Sequence, residues 1–194
     1  MKSSLLLLFV LITLVSLGQE KWETTVKVGI NYSIPNTGNA SENYKWYPGF
    51  ITGLNEIYNL SSIVALQSGI EYENLRTGFL YIQSNPGSIG PVQKSYYTLN
   101  YFTIPIHLNY NFHGNWIAFG GIAYRIGTDG TPKPFTRGYN NDFALDAGVG
   151  YKVNKISFNL LYRHGLSEII PNSPVSSAKN RTISFYVSLP IWSN

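Results

Sequence analysis

Apolar and polar residues alternate along most of this chain with a period of two. Such alternation is typical of β-strands whose two faces lie in different environments. The connections between the alternating stretches are long and short in strict turn. The pattern predicts eight strands, which we place at 24–34, 49–58, 63–77, 97–112, 116–127, 142–153, 156–166 and 181–191.

This arrangement predicts an all-β fold, an eight-stranded antiparallel up-and-down transmembrane β-barrel. A closed barrel pairs every backbone polar group of its strands, as a lipid environment requires. In bacterial outer-membrane barrels the periplasmic turns are short and the outer loops are long. We therefore expect periplasmic turns at 59–62, 111–115 and 154–155, and outer loops at 35–47, 78–94, 128–141 and 168–180.

In most strands an apolar row suits lipid and the opposite polar row suits a lumen. Strand two is an exception, because Ile51 and Ile57 oppose Phe50 and Leu54, and the pattern does not assign its faces. Pro105 lies inside strand four and cannot donate a hydrogen bond to a neighbouring strand. We expect a β-bulge there to accommodate it.

The first residues have the three-part pattern of a secretory signal. Lys2 is followed by an apolar run over 5–15 and by the small residues of Ser16-Leu17-Gly18. We predict a signal peptide over 1–18 and a barrel domain over 19–194. An uncleaved anchor is the alternative, but the run is shorter than the ~20 residues that span a bilayer as a helix. The absence of cysteine excludes disulfides, thiolate metal sites and a lipid-anchored lipoprotein.

Composition supports a membrane location. Charged residues make up 12% of the chain, against about 25% in a typical soluble protein. Aromatic residues make up 15%, with 15 tyrosines, as expected of side chains at membrane interfaces. The basic residues form no Lys/Arg-rich stripe, which argues against nucleic acid as a partner. The predicted location is the bacterial outer membrane, with outer-membrane lipid as the surrounding partner.

Three segments resemble a known family. They are LNYFTIPIHLNY over 99–110, DAGVGY over 146–151 and YRHGLSEI over 162–169. In this order they are similar to the PorT-like outer-membrane β-barrel domain family. The matching positions of the first segment are Tyr101, Ile104, Pro105, Leu108 and Tyr110. The resemblance implies an eight-stranded outer-membrane barrel without an assigned activity. The family's namesake is associated with protein secretion and gliding, a role that the resemblance does not carry over residue by residue. Since loops on a rigid scaffold usually carry function, we expect envelope or secretion proteins to bind through the long outer loops.

Candidate catalytic residues are few. His107, His113 and His164 do not have metal-ligand spacing, and we predict no metal and no cofactor. His164, Ser167 and Glu168 suggest the alternative of a lipid-modifying hydrolase, although alternation places His164 and Ser167 on opposite faces. A further alternative is a secreted lipocalin-like barrel with a small ligand, which would turn the apolar rows inward.

A set of charges falls on the predicted lumen side, in the outer halves of the strands: Glu71, Glu73, Arg125, Asp146 and Arg163. An eight-stranded barrel is just wide enough to be filled by side chains, and buried charges must be paired. We expect these residues to form a structural salt-bridge plug, with a proton or ion path as the alternative. The sequence thus favours a non-enzymatic barrel with a structural or protein-interaction role at the envelope, as an accessory to secretion.

Overall fold

The computed structural model describes residues 22–36, 44–85, 88–128, 141–168 and 179–193. They form a closed barrel in which sequence neighbours pair antiparallel and the last strand pairs with the first. The strands are β1 (Trp22–Asn36), β2 (Tyr44–Asn59), β3 (Val64–Asn85), β4 (Ser88–Phe112), β5 (Trp116–Thr128), β6 (Asp142–Val153), β7 (Ile156–Glu168) and β8 (Lys179–Ser193). The predicted eight-stranded antiparallel barrel is confirmed, whereas the predicted signal peptide over 1–18 lies outside the described residues.

The short connections lie at one end of the barrel, where the predicted turns were placed. β6 and β7 are joined by Asn154 and Lys155 alone, and Asn154 has φ 55°. The turn between β4 and β5 contains His113 with φ 39° and Gly114 with φ 74°. Asparagine and glycine adopt these left-handed conformations at the least cost, which explains their place in such tight reversals.

The connection between β3 and β4 differs from the prediction. Residues 78–94 were expected to form a loop, but β3 has 22 residues and β4 has 25, against 12 to 16 in the other strands. Asn85 still pairs with Ser88 at the far end. The loop was predicted because residues 78–94 lack two-residue alternation, but backbone pairing between two strands does not require alternation. The other predicted outer loops fall largely on 37–43, 129–140 and 169–178, outside the described residues.

The apolar rows face outward. On β6, for example, Phe143, Leu145 and Val149 are exposed while Ala144 and Asp146 are buried. The structure therefore presents an apolar surface around the barrel and a polar interior. The lipocalin-like alternative, which needs the apolar rows inside, is wrong.

The structure also assigns the faces of β2. Ile51 is fully buried in the lumen, whereas Phe50 and Leu54 are exposed. Ile51 packs with Phe119 and Leu161 inside the barrel. Alternation is weak on β2 because this strand supplies an apolar side chain to the interior as well as to the exterior.

Pro105 does not cause the predicted β-bulge. It pairs in register with Ala123 on β5. On its other side, the pairing of β3 with β4 is interrupted at Gly69 and Ile70 and resumes in the same register. The Ser68 hydroxyl donates to the Pro105 carbonyl oxygen at 2.9 Å. The missing N–H is thus accommodated by a local gap in the hydrogen bonds, without an extra residue.

The positions of the turns predict which end of the barrel faces the cell exterior. An epitope tag inserted at Pro86, between β3 and β4, should bind antibody on whole cells. A tag after Asn194, beside the short turns, should bind only after the outer membrane is permeabilised. The reverse labelling pattern would contradict this orientation.

Ile104 on β4 and Val149 on β6 are exposed on the apolar surface. Replacing either by arginine should lower the free energy of unfolding in lipid vesicles by ~2–4 kcal/mol, as for a cation near the bilayer midplane. Ile191→Arg, close to the short-turn end of β8, is the matched control and should cost much less. Equal costs at all three positions would show that the barrel is placed differently in the membrane.

Candidate functional site

The structure brings the five predicted lumen charges together. Glu71 and Glu73 lie on β3, Arg125 on β5, Asp146 on β6 and Arg163 on β7. Their side chains point inward because they occupy the polar positions of alternating strands. Each is at most 5% exposed, so each must find its charge partners inside the barrel.

Arg163 is the most connected of these residues. Its Nε and Nη2 donate to the two carboxylate oxygens of Asp146 at 2.8 and 2.6 Å. Its Nη1 contacts Glu71 at 3.3 Å and also pairs with Glu73. One guanidinium therefore bridges a carboxylate on the neighbouring β6 to two carboxylates on β3. The fixed fork of arginine suits this paired geometry better than a lysine would.

Arg125 forms a second centre nearer the outer end. Its Nη1 donates to Asp142 at 3.1 Å, and its Nη2 lies 3.8 Å from Glu73. Its guanidinium carbon lies 4.1 Å from the centroid of the Tyr101 ring. The Thr103 hydroxyl donates to Glu73 at 2.6 Å. Glu73 therefore links the two arginines.

Sequence reasoning missed three ionisable members of this set. Lys27 on β1 pairs with Glu71. The Nε2 of His107 on β4 lies 2.7 Å from Asp146. Asp142, the first residue of β6, pairs with Arg125. Alternation already placed Lys27 and His107 on inward faces, but it could not show which distant strands they meet across the lumen.

We call these eight residues the lumen charge cluster: Lys27, Glu71, Glu73, His107, Arg125, Asp142, Asp146 and Arg163. Each of its four carboxylates contacts at least one lysine, arginine or histidine side chain. Every carboxylate of the cluster is therefore paired, although Glu73 Oε2 and the Nε and Nη2 atoms of Arg125 have no hydrogen-bond partner among the described residues.

Apolar side chains lie on both sides of the lumen charge cluster. Phe119 and Leu161 precede Arg125 and Arg163 along their strands and so lie nearer the short turns. They pack with Ile51 and Tyr186, and the Lys27 ammonium lies 4.0 Å from the Tyr186 ring centroid. Towards the outer end the buried residues Leu75, Leu99 and Tyr101 form a second apolar group. The charges therefore lie between two groups of apolar side chains.

A polar cavity of about 60 Å³ lies at the short-turn end of the lumen. Its lining includes Glu23 and Lys152, whose charged groups are 3.8 Å apart, and the buried Asn109. A polar cavity of this size holds a few water molecules.

The proposed hydrolase residues are not assembled. His164 lies beside the Tyr162 ring, with the ring centroids 6.4 Å apart, while the backbone N–H of Ser167 donates to Asp142 at 2.8 Å. In the described part of the chain no hydrogen bond joins His164 to Ser167. The Glu168 side chain lies outside the described set, and His113 lies in a short turn. Within the described residues no three His, Cys, Asp or Glu side chains have the arrangement of a metal site.

The closed barrel, with its apolar exterior and polar filled interior, has the architecture of outer-membrane barrels. The fold is similar to that of Neisserial surface protein A, with a TM-score of 0.52 and 11% identity over 88% of this chain and 99% of that one. It is also similar to Ail, the attachment invasion locus protein of Yersinia pestis, with a TM-score of 0.50 and 11% identity over 89% of this chain and 100% of that one.

The protein is thus an integral β-barrel of the bacterial outer membrane. Residues 17–171 match a family described as "Outer membrane protein beta-barrel domain", and the chain belongs to that family. Comparison with curated protein sequences finds no match. The predicted location is confirmed. The identity with the two solved barrels is too low to carry more than the fold.

The lumen charge cluster predicts a stability effect. Arg163→Ala should remove the arginine contact of three carboxylates, Glu71, Glu73 and Asp146. The free energy of unfolding should fall by ~3–5 kcal/mol. The unboiled, compact band on denaturing gels should then be lost at a lower temperature than in the wild type. Lys152→Ala, which removes a partly exposed cation at the short-turn end, is the control and should change this temperature little. Equal melting of Arg163→Ala and wild type would show that the lumen charges are not coupled.

Proposed function

We propose that this protein is a non-enzymatic outer-membrane barrel that presents its β3–β4 hairpin to protein partners at the cell envelope, as an accessory to secretion. The barrel wall and its filled lumen would form the rigid support. The binding surface would be the part of the hairpin that extends beyond the other strands, together with the outer loops.

The observation that carries this proposal is the length of the hairpin. β2 pairs with β3 only as far as Phe79, and β5 pairs with β4 only as far as Asn100. Beyond these residues β3 and β4 continue to Asn85 and Ser88 and pair only with each other among the described strands. Lipid does not require this extension, because ~9–11 residues suffice for a spanning strand. A long two-stranded element on a rigid scaffold is suited to binding.

The side chains that fill the lumen support the same proposal. Arg125 and Arg163 occupy its centre with their carboxylate partners, and groups of apolar side chains lie on both sides. An interior filled in this way favours a structural plug over a path for protons or ions. Function would then lie on the surface of the barrel.

The link to secretion rests on the resemblance of 99–110, 146–151 and 162–169 to the PorT-like family. All three segments lie in the barrel wall, on β4, β6 and β7. They therefore favour a related scaffold, and the hairpin supplies the surface through which that scaffold could act.

The test is a shortened hairpin. Phe79 pairs directly with Ser95, so residues 80–94 can be replaced by an Asn-Gly turn, which suits a two-residue reversal. A photo-crosslinking residue is placed at Ser95, which both variants retain. In intact envelopes the wild type should give defined protein crosslinks that the shortened variant loses. A strain carrying the shortened variant should also release less secreted protein.

A crosslinker at Asn154, in the opposite turn, is the matched control and should give a pattern that shortening does not alter. Heat-modifiable mobility shows whether the shortened barrel still folds. Unchanged crosslinks and unchanged secretion with a folded shortened barrel would refute the hairpin as the binding surface. If the crosslinks are lost but secretion is normal, the hairpin remains a surface that binds a protein partner, and the role in secretion is refuted.

A further inference from the structure

Arg181 is exposed on the lipid-facing surface of the barrel. It is near the outer end of β8 and shares its outward face with Ile183 and Phe185, which are both exposed. Among the described residues Arg181 has no ion-pair partner. Arg125 and Arg163, in contrast, each form ion pairs with carboxylates inside the lumen.

A second nitrogen-bearing side chain adjoins it. His164 on β7 is the direct cross-strand partner of Arg181, and side chains directly opposite each other in an antiparallel pair lie close together. His164 is half-buried and lies beside the Tyr162 ring, which is also outward-facing. The described outward neighbours above and below this pair, Leu166 and Ile183, are apolar.

We propose that Arg181 and His164 form a binding site for the phosphate-bearing headgroup of an outer-leaflet lipid. The site has a donor fork from Arg181, a second donor from the His164 ring, and an apolar and aromatic surface towards the membrane centre. The phosphate would pair with the two nitrogen-bearing groups, and the acyl chains would pack along Tyr162 and Ile183.

The physical argument comes from the position of the cation. A charged side chain on the lipid face is costly at the bilayer centre and becomes tolerable only near the headgroups. Arg181 is the third residue of β8, which starts at Lys179, on the side of the long connections, where outer-leaflet headgroups lie. Arginine forms short bidentate hydrogen bonds with phosphate. An unpaired arginine at this depth is therefore suited to an anionic headgroup.

The test uses purified protein in phosphatidylcholine nanodiscs that contain diphosphorylated lipid A. Native mass spectrometry after gentle delipidation counts the lipid A molecules that remain bound. The wild type should retain lipid A in preference to dephosphorylated lipid A. Arg181→Gln should reduce retention roughly tenfold, the effect of about one charge-assisted hydrogen bond, and His164→Gln should reduce it less. Lys155→Gln, which removes an exposed cation at the opposite end, should retain lipid A as the wild type does.

Each outcome decides for or against the proposal. Equal retention of phosphorylated and dephosphorylated lipid would overturn it, since the phosphate would then not be recognised. An equal loss in Arg181→Gln and Lys155→Gln would also overturn it, since any surface cation would suffice. If Arg181→Gln does not fold, the wild type still tests the proposal, because its retention of lipid A should fall as salt is raised. Retention that is independent of salt would contradict a charge-based site.

Discussion

The narrowness of the lumen is the constraint on which the rest of this structure depends. A closed wall of eight strands leaves an interior that side chains alone can fill. Inward-facing groups must therefore satisfy one another, because little water is available to do so. Arg163 meets this requirement by binding carboxylates from both β3 and β6. Removing one member affects all the others, so the cluster behaves as a unit.

Large lumen side chains fit because small ones stand opposite them. A Cβ atom at Gly148 on β6 would collide with the ring of Phe119, and one at Gly53 on β2 would collide with the backbone of β3 beside Glu71. The inward glycines of this chain are thus part of the packing of the plug. Because these glycines have no side chain, the aromatic and charged groups have space that a barrel of this width would otherwise lack.

Alternation predicted most of this fold because the two faces of a spanning strand meet opposite environments. β6 follows the rule throughout, and its boundaries were predicted without error. Alternation failed as a predictor where the two faces of a strand do not differ in this way. Ile51 is apolar yet faces the lumen, and the outer parts of β3 and β4 pair with each other where a loop was expected. Alternation is consistent with Lys27 and His107 on inward faces, but their partners are set by strand tilt and register, which alternation does not encode.

The structure divides the cations of this protein into two groups. Arg125 and Arg163 are paired with carboxylates within the lumen, so a ligand would have to compete with those carboxylates for them. Replacing a carboxylate in this way would leave buried charges unpaired at a cost of several kcal/mol. Arg181 is exposed and has no ion-pair partner among the described residues, so a ligand there displaces no internal contact. The same reasoning applies to the outer hairpin, where binding need not disturb the plug. The two proposed recognition sites therefore lie on the outer surface of the barrel, apart from the ion pairs inside its wall.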